Sequence, residues 1–125
     1  MSNYATENLR TLALVGHGSC GKTTLIEAML YRAGMIPEMG SIQRGTTMCD
    51  NDLLEKEVGH SIRLAVAHID TAMTDLTPVR IHILDTPGYP DYLGQDMSAL
   101  DAVKSVCAVI DPTKGPELLT RRLMA

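Results

Sequence analysis

Eight residues constrain this chain more than anything else in it. Gly16-His17-Gly18-Ser19-Cys20-Gly21-Lys22-Thr23 follows an apolar run, Leu12-Ala13-Leu14-Val15, and precedes a helical apolar stripe at Leu25, Ile26, Met29 and Leu30. The segment satisfies G-x-x-x-x-G-K-[ST] in the strand-to-helix setting that a phosphate-binding loop requires. Its glycines let the backbone fold into a nest of N–H donors at a helix N-terminus, where the dipole favours an anion. Lys22 would add a point charge between terminal phosphates, a catalytic role, and the Thr23 hydroxyl can replace a water on Mg²⁺. The plain alternative is a glycine turn carrying an exposed lysine.

The remaining pattern is that of an α/β protein. Gly34, with Pro37 beyond it, stops the first helix. Residues 35–59 hold no sustained period, which predicts a long loop with a short helix near 52–57, and loops of that length are usually functional or disordered. Alternation over 62–69 and 79–84 predicts two strands, joined as a hairpin across 70–78. Pro90 suits the first turn of a helix with apolar positions Leu93, Met97, Leu100 and Val103. Val106-Cys107-Ala108-Val109-Ile110 reads as a strand apolar on both faces, with a turn and a helix from Glu117 after it. Such a strand asks for neighbours, so the sequence is expected to be part of a larger domain. The expected fold is an incomplete P-loop α/β domain: a mixed, mostly parallel sheet with helices on both faces. The first and last strands are expected to be central, the hairpin to one side, and ligands at the strands' carboxyl ends.

Charge and composition exclude several classes. Eleven Lys and Arg against fifteen Asp and Glu give a net charge of −4, so neither direct nucleic-acid readout nor an anionic membrane is expected. No apolar run approaches the roughly 20 residues that span a bilayer, and the polar start, 1–10, lacks a signal-peptide core. A cytoplasmic location is expected. Cys20, Cys49 and Cys107 form no C-x-x-C pair and read as reduced, small apolar fillers. Cys20, near Lys22 and a helix N-terminus, has an oxidisable thiol as its second reading. With four Tyr and no Phe or Trp, aliphatics and the eight Met are expected to fill the core.

Asp85-Thr86-Pro87-Gly88 is a second station. It puts a carboxylate at a strand end, aimed at the ion through a water, and the Gly88 N–H toward a terminal phosphate. Alone, these four residues are an ordinary turn. Gly59-His60-Ser61-Ile62 offers Ser61 as a third ligand, or as a solvated hydroxyl at a strand entry. His17, His60, His68 and His82 are read as loop-shaping or solvent-facing, and none as a metal ligand.

Four segments in order carry a family resemblance: Gly21-Lys22-Thr23-Thr24; the stretch 45–62; Asp85-Thr86-Pro87-Gly88-Tyr89-Pro90-Asp91-Tyr92; and Ala108-Val109-Ile110-Asp111 with Lys114-Gly115. Together they resemble the N-terminal part of the GTPase domain of bacterial elongation factor G and elongation factor G-like paralogues. The resemblance implies that residues 1–125 are the N-terminal portion of a translational G domain, holding the phosphate loop and both switches. It implies GTP and GDP as ligands, bound by Gly16, His17, Gly18, Ser19, Cys20, Gly21, Lys22, Thr23, Thr24, Asp85, Thr86, Pro87, Gly88 and Tyr89. It further implies Mg²⁺ on Thr23, Ser61 and, through a water, Asp85, and the ribosome as partner of the full-length protein. The family's guanine-reading Asn-Lys-x-Asp segment is absent from the sequence.

The chain departs from the family at several positions. Ser61 stands where Thr is usual, after Val58-Gly59 in place of Arg-Gly, and Ser19 stands where Asp is usual. Tyr89 occupies the place of the family's catalytic His, which positions the attacking water; a phenol can hydrogen-bond that water but offers no imidazole. Some elongation factor G-like paralogues resemble the chain in this Tyr. Slow intrinsic hydrolysis is therefore expected, with a non-hydrolysing nucleotide-dependent binding module or an inactive fragment as alternatives.

Overall fold

A computed structural model describes residues 4–50 and 52–125; residues 1–3 of the polar start and Asn51 of the long loop lie outside the described residues. The apolar run before the glycines is the end of β1 (Leu9–Val15). Its last residues are buried on both faces, Ala13 and Val15 to one side and Leu14 to the other. On one flank β1 pairs in parallel with β3 (Pro78–Asp85), and on the other with β4 (Ser105–Ala108). β2 (Ala65–Ala72) lies antiparallel to β3, so the sheet order is β2-β3-β1-β4.

This order corrects one expectation. β1 is central, but its central neighbour is β3; β4 is an edge strand among the described residues. Val106 and Ile110 are accordingly 41% and 45% exposed, and Cys107 is exposed rather than a core filler. The ladder does run one residue past β4, through the Val109 N–H on the Val15 carbonyl at 2.8 Å.

Helices cover both faces. α1 (Lys22–Arg32) lays Ile26 and Leu30 against Leu14, Ile69 and Ile83. α3 (Leu93–Ala102) follows a 3-10 turn at Pro90–Tyr92 and lays Ala99 against Ala13, Val15 and Leu84. The inward residues of α3 are Asp96 and Ala99, whereas Met97 faces outward at 48% exposure. Methionine reaches the core only at its margin, through the partly buried Met29 and Met35, and does not fill it as expected. Branched aliphatics and alanines do, because two helices seated closely on a narrow sheet leave room for short side chains; no described Met is fully buried. α4 (Leu118–Leu123) starts at Glu117 as expected and buries Leu119.

The short helix expected in the long loop is α2 (Leu53–Val58). Asp52 caps it, its side chain accepting from the Leu54 N–H while Glu55 reaches back to the Asp52 N–H, a capping box. β2 begins at Ala65, three residues later than the alternation suggests. The donors of Ile62, Arg63 and Leu64 are taken by the side chains of Glu55 and Gln95 instead of by a neighbouring strand. The hairpin strands reach Ala72 and Pro78, leaving a turn of five residues.

Candidate active site

The parallel register of β1 and β3 sets Leu14 beside Asp85. The two chains therefore leave the sheet side by side, the glycine loop after one and Thr86-Pro87-Gly88 after the other. Thr86 fastens them by donating its hydroxyl to the Leu14 carbonyl at 2.9 Å. A cavity of about 270 Å³ opens there, walled by Lys22, Thr23, Ser61, Thr86 and Tyr89, and also by Ser19, Gly21, Thr24, His60 and Pro87.

Lys22 is 4% exposed, which removes the reading of a glycine turn with an exposed lysine. Its Nζ donates to the carbonyls of Gly16 and His17, each at 3.0 Å, and lies 4.0 Å from the Cys20 sulfur. Gly88 closes over it: with φ at +76°, a Cβ at this residue would collide with Lys22 Nζ and the Gly16 carbonyl. A Cβ at Gly18 would strike the Tyr89 ring, which lies across the loop and sets its phenol 3.2 Å from the Ser19 hydroxyl. His17 turns away, its Nε2 3.2 Å from the Glu117 carboxylate.

Thr23, Ser61 and Asp85 come from α1, the long loop and β3, and they meet in a buried chain of hydrogen bonds. The Thr23 hydroxyl donates to Asp85 Oδ2 at 2.6 Å, and the Ser61 hydroxyl donates to Asp50 Oδ1 at 2.6 Å. Asp50 also accepts from Thr47 at 3.0 Å. At 9% exposure Ser61 is not a solvated strand-entry serine, and Asp85, at 1%, does not belong to a plain surface turn.

Each hydroxyl carries one proton, and both protons are committed to carboxylates. The Thr23 and Ser61 oxygens lie 3.2 Å apart, within hydrogen-bond reach of each other, and each keeps lone pairs for a cation. That spacing is close to the about 3.0 Å between adjacent oxygens of a magnesium octahedron with bonds of about 2.1 Å. Asp85 Oδ1 is buried beside them without a partner. These donors fit a hard divalent cation. Among the described residues no group of three or more His, Cys, Asp or Glu could hold a metal by itself, so the hydroxyls are needed.

Burial pushes the Asp85 carboxyl up to about 6, against the pull of the Thr23 hydroxyl and Lys22, with Asp50 and Glu55 adding to the rise. Burial and the same acidic surroundings push the buried Cys49 thiol up to about 12. That keeps it a protonated filler. Asp96 in α3 is fully buried; burial raises its pKa against the weaker pull of Thr86, the Gly88 amide and Lys22, and neither carboxylate oxygen completes a hydrogen bond that would hold it down.

The long loop is held by side chains that its own pattern does not advertise. Glu27, 1% exposed in α1, accepts from the amides of Gly40, at 2.9 Å, and Met48. Glu55 accepts from Ile62 and Arg63 at 2.9 and 3.0 Å. Gln95 of α3 accepts from the Leu64 N–H at 2.6 Å and donates to the Ile62 carbonyl at 3.1 Å, tying the segment after Ser61 to the helix after Gly88. Gln95→Leu keeps most of the volume but leaves two backbone groups unpaired, so it should cost about 1–3 kcal/mol in a urea unfolding experiment. Hydrogen exchange at the Leu64 amide should quicken more than at amides inside β1.

Sequence reasoning missed Asp50, Glu27, Glu55, Gln95 and Asp96. Only Glu55 carried a local signal, the Asp52-x-x-Glu55 capping box; Glu27, Gln95 and the Asp50 bond to Ser61 act across 11 or more residues, and Asp96 lies on a helix face that its charge does not advertise.

Residues 7–125 match the family described as the elongation factor Tu GTP binding domain. The chain is 36% identical over 112 residues to the tetracycline resistance protein TetM from transposon Tn1545 of Enterococcus faecalis, covering 90% of this chain and 17% of that protein. It is also 36% identical over 115 residues to an elongation factor G-like protein of Mycobacterium tuberculosis (strain CDC 1551 / Oshkosh), covering 92% of this chain and 15% of that one. A crystal structure of a Thermus thermophilus protein matches with a TM-score of 0.83 at 35% identity, over 92% of this chain and 17% of the other. A bacterial selenocysteine-specific elongation factor shares the fold, with a TM-score of 0.68 at 23% identity over 92% of this chain and 17% of its own. The chain thus spans about a sixth of the length of these relatives. By this match over nearly all of its length, the chain belongs to the elongation factor Tu GTP-binding domain family.

Proposed function

We propose that the chain is the N-terminal portion of the G domain of a ribosome-associated, cytoplasmic, elongation factor G-like GTPase, and that it supplies the phosphate and magnesium half of the nucleotide site. The observation that carries this reading is the convergence of Thr23, Ser61 and Asp85 beside the buried Lys22. Residues 16–24 would wrap the phosphate chain with main-chain amides, and Lys22 would leave the Gly16 and His17 carbonyls to share its charge with the terminal phosphates. Thr23 and Ser61 would hold Mg²⁺ directly and Asp85 through a water; the ion would neutralise phosphate charge. The Gly88 amide would meet the terminal phosphate, so that its loss on hydrolysis releases both switch segments.

A second reading, a nucleotide-dependent binding module that does not hydrolyse GTP, is favoured by Tyr89 lying across Gly18. Calorimetry with GTP and magnesium tests the binding that both readings need. Radiolabelled GTP turnover by the full-length protein, with and without ribosomes, separates them: stimulation by ribosomes supports the GTPase, and tight binding without turnover supports the module.

A further inference from the structure

The water that attacks a terminal phosphate must be held by an acceptor on the cavity wall, and Tyr89 is poorly available for that task. Its ring lies over Gly18 and its phenol is engaged with Ser19 at 3.2 Å. Among the described residues no carboxylate lines the cavity, and apart from hydroxyls the side chains there with an acceptor are His60 and Gln43. Gln43 sits exposed on a 3-10 turn, where fixing it would cost the full entropy of a long side chain.

His60 is already fixed. Its ring stacks on Tyr89 with centroids 4.4 Å apart and planes tilted by 38°. Its Nδ1 lies 3.3 Å from the Ser61 carbonyl. A carbonyl only accepts, so Nδ1 carries the hydrogen, and in the neutral imidazole Nε2 then presents a lone pair. The residue that Nδ1 grips is the one whose hydroxyl faces Thr23, so ring and hydroxyl are placed by the same turn of chain.

We propose that His60 is the water-positioning residue of this site, with Tyr89 as the platform that orients its ring. The inference rests on the reading of the cavity as a GTP site. Nε2 accepts a hydrogen bond from the attacking water, whose oxygen bonds to the γ-phosphorus as the bond to the β,γ-bridging oxygen breaks. The bond's electron pair leaves on GDP, and the water's proton ends on an oxygen of the released phosphate. His60 orients and keeps its charge.

The test uses the full-length protein with His60→Ala, His60→Gln and Gln43→Ala. Binding of GDP, and of GDP with aluminium fluoride as a mimic of the transferring phosphoryl group, is measured beside single-turnover hydrolysis. His60→Ala should leave GDP affinity within about twofold, weaken the aluminium fluoride complex at least about tenfold, and slow hydrolysis about a hundredfold. His60→Gln keeps an acceptor and should recover a large part of both losses. Normal hydrolysis and normal analogue binding in His60→Ala, or losses that follow Gln43→Ala instead, would overturn the assignment and leave the GTP site standing. Failure of the unsubstituted protein to bind GTP would overturn both. A His60→Ala protein that does not fold is replaced by His60→Asn, which keeps the bulk and shortens the reach, with the same expected losses.

Discussion

Lys22→Ala is expected to weaken magnesium–GTP binding at least about a hundredfold, about 2.7 kcal/mol. The side chain is 4% exposed, and its ammonium is held by two loop carbonyls at 3.0 Å. Among the described residues it forms no ion pair within 4.0 Å. A cation kept out of water without a partner carboxylate is costly unless an anion arrives. A triphosphate tail supplies that anion, which is why the loss should fall on the nucleotide complex more than on the free fold. In a thermal melt, magnesium and GTP should raise the midpoint of the unsubstituted protein in proportion to the logarithm of ligand excess. The same addition should raise Lys22→Ala far less, because a hundredfold weaker site forfeits up to about 2.7 kcal/mol of that stabilisation. An equal rise in both proteins would remove the phosphate reading of the loop, and with it the nucleotide site.

How much of this site could be read before folding depended on whether its physics was local. The glycine loop announces itself because the nest, the helix start and the lysine lie within eight residues, and Asp85-Thr86-Pro87-Gly88 because a strand end and a turn are contiguous. β1 was readable as a doubly buried strand from Leu12-Ala13-Leu14-Val15, since burial on both faces leaves an unbroken apolar run. The run 106–110, which holds most of β4, is also unbroken and apolar and has a different fate. It reads as a strand buried on both faces, whereas the place of β4 at the sheet edge among the described residues follows from sheet order, which no local pattern encodes.

The long loop shows the opposite limit. Its lack of periodicity reads as a loop with one short helix and says nothing of what orders the rest, yet Glu27, Glu55 and Gln95 hold backbone amides in and just after it, and Asp50 orders Ser61. A carboxylate that satisfies main-chain donors elsewhere in the chain looks, in sequence, like any solvated acid on a helix. Helical period placed Met97 inward on α3 by hydropathy, but the face turned to β1 holds Asp96 and Ala99. Close approach of helix to sheet decided between them, and alanine allows it. Asp96 remains buried without a completed hydrogen bond, a cost that hydropathy alone would not have assigned to that position.

Asp85 should make stability respond to pH in opposite senses with and without magnesium. Its folded pKa is about 6 against an ordinary 3.8, chiefly because burial disfavours the charged form. Between those values the folded chain holds a proton that the unfolded chain has released, so stability falls as pH rises from about 4 to 6 and levels off above. The shift corresponds to about 3 kcal/mol at most, at about 1.36 kcal/mol per unit. A bound divalent cation reverses the preference, because it favours the ionised carboxylate. Denaturant unfolding of the nucleotide-free chain across this range should show the decline, and Asp85→Asn, which stays neutral while keeping an acceptor for Thr23, should remove that part of it. With magnesium and GTP present, the stabilisation contributed by the ligand should instead grow as pH rises through about 6, and in Asp85→Asn it should be smaller and flat. Parallel profiles for the two proteins in both conditions would mean that Asp85 neither bears the burial cost assigned to it nor faces the ion.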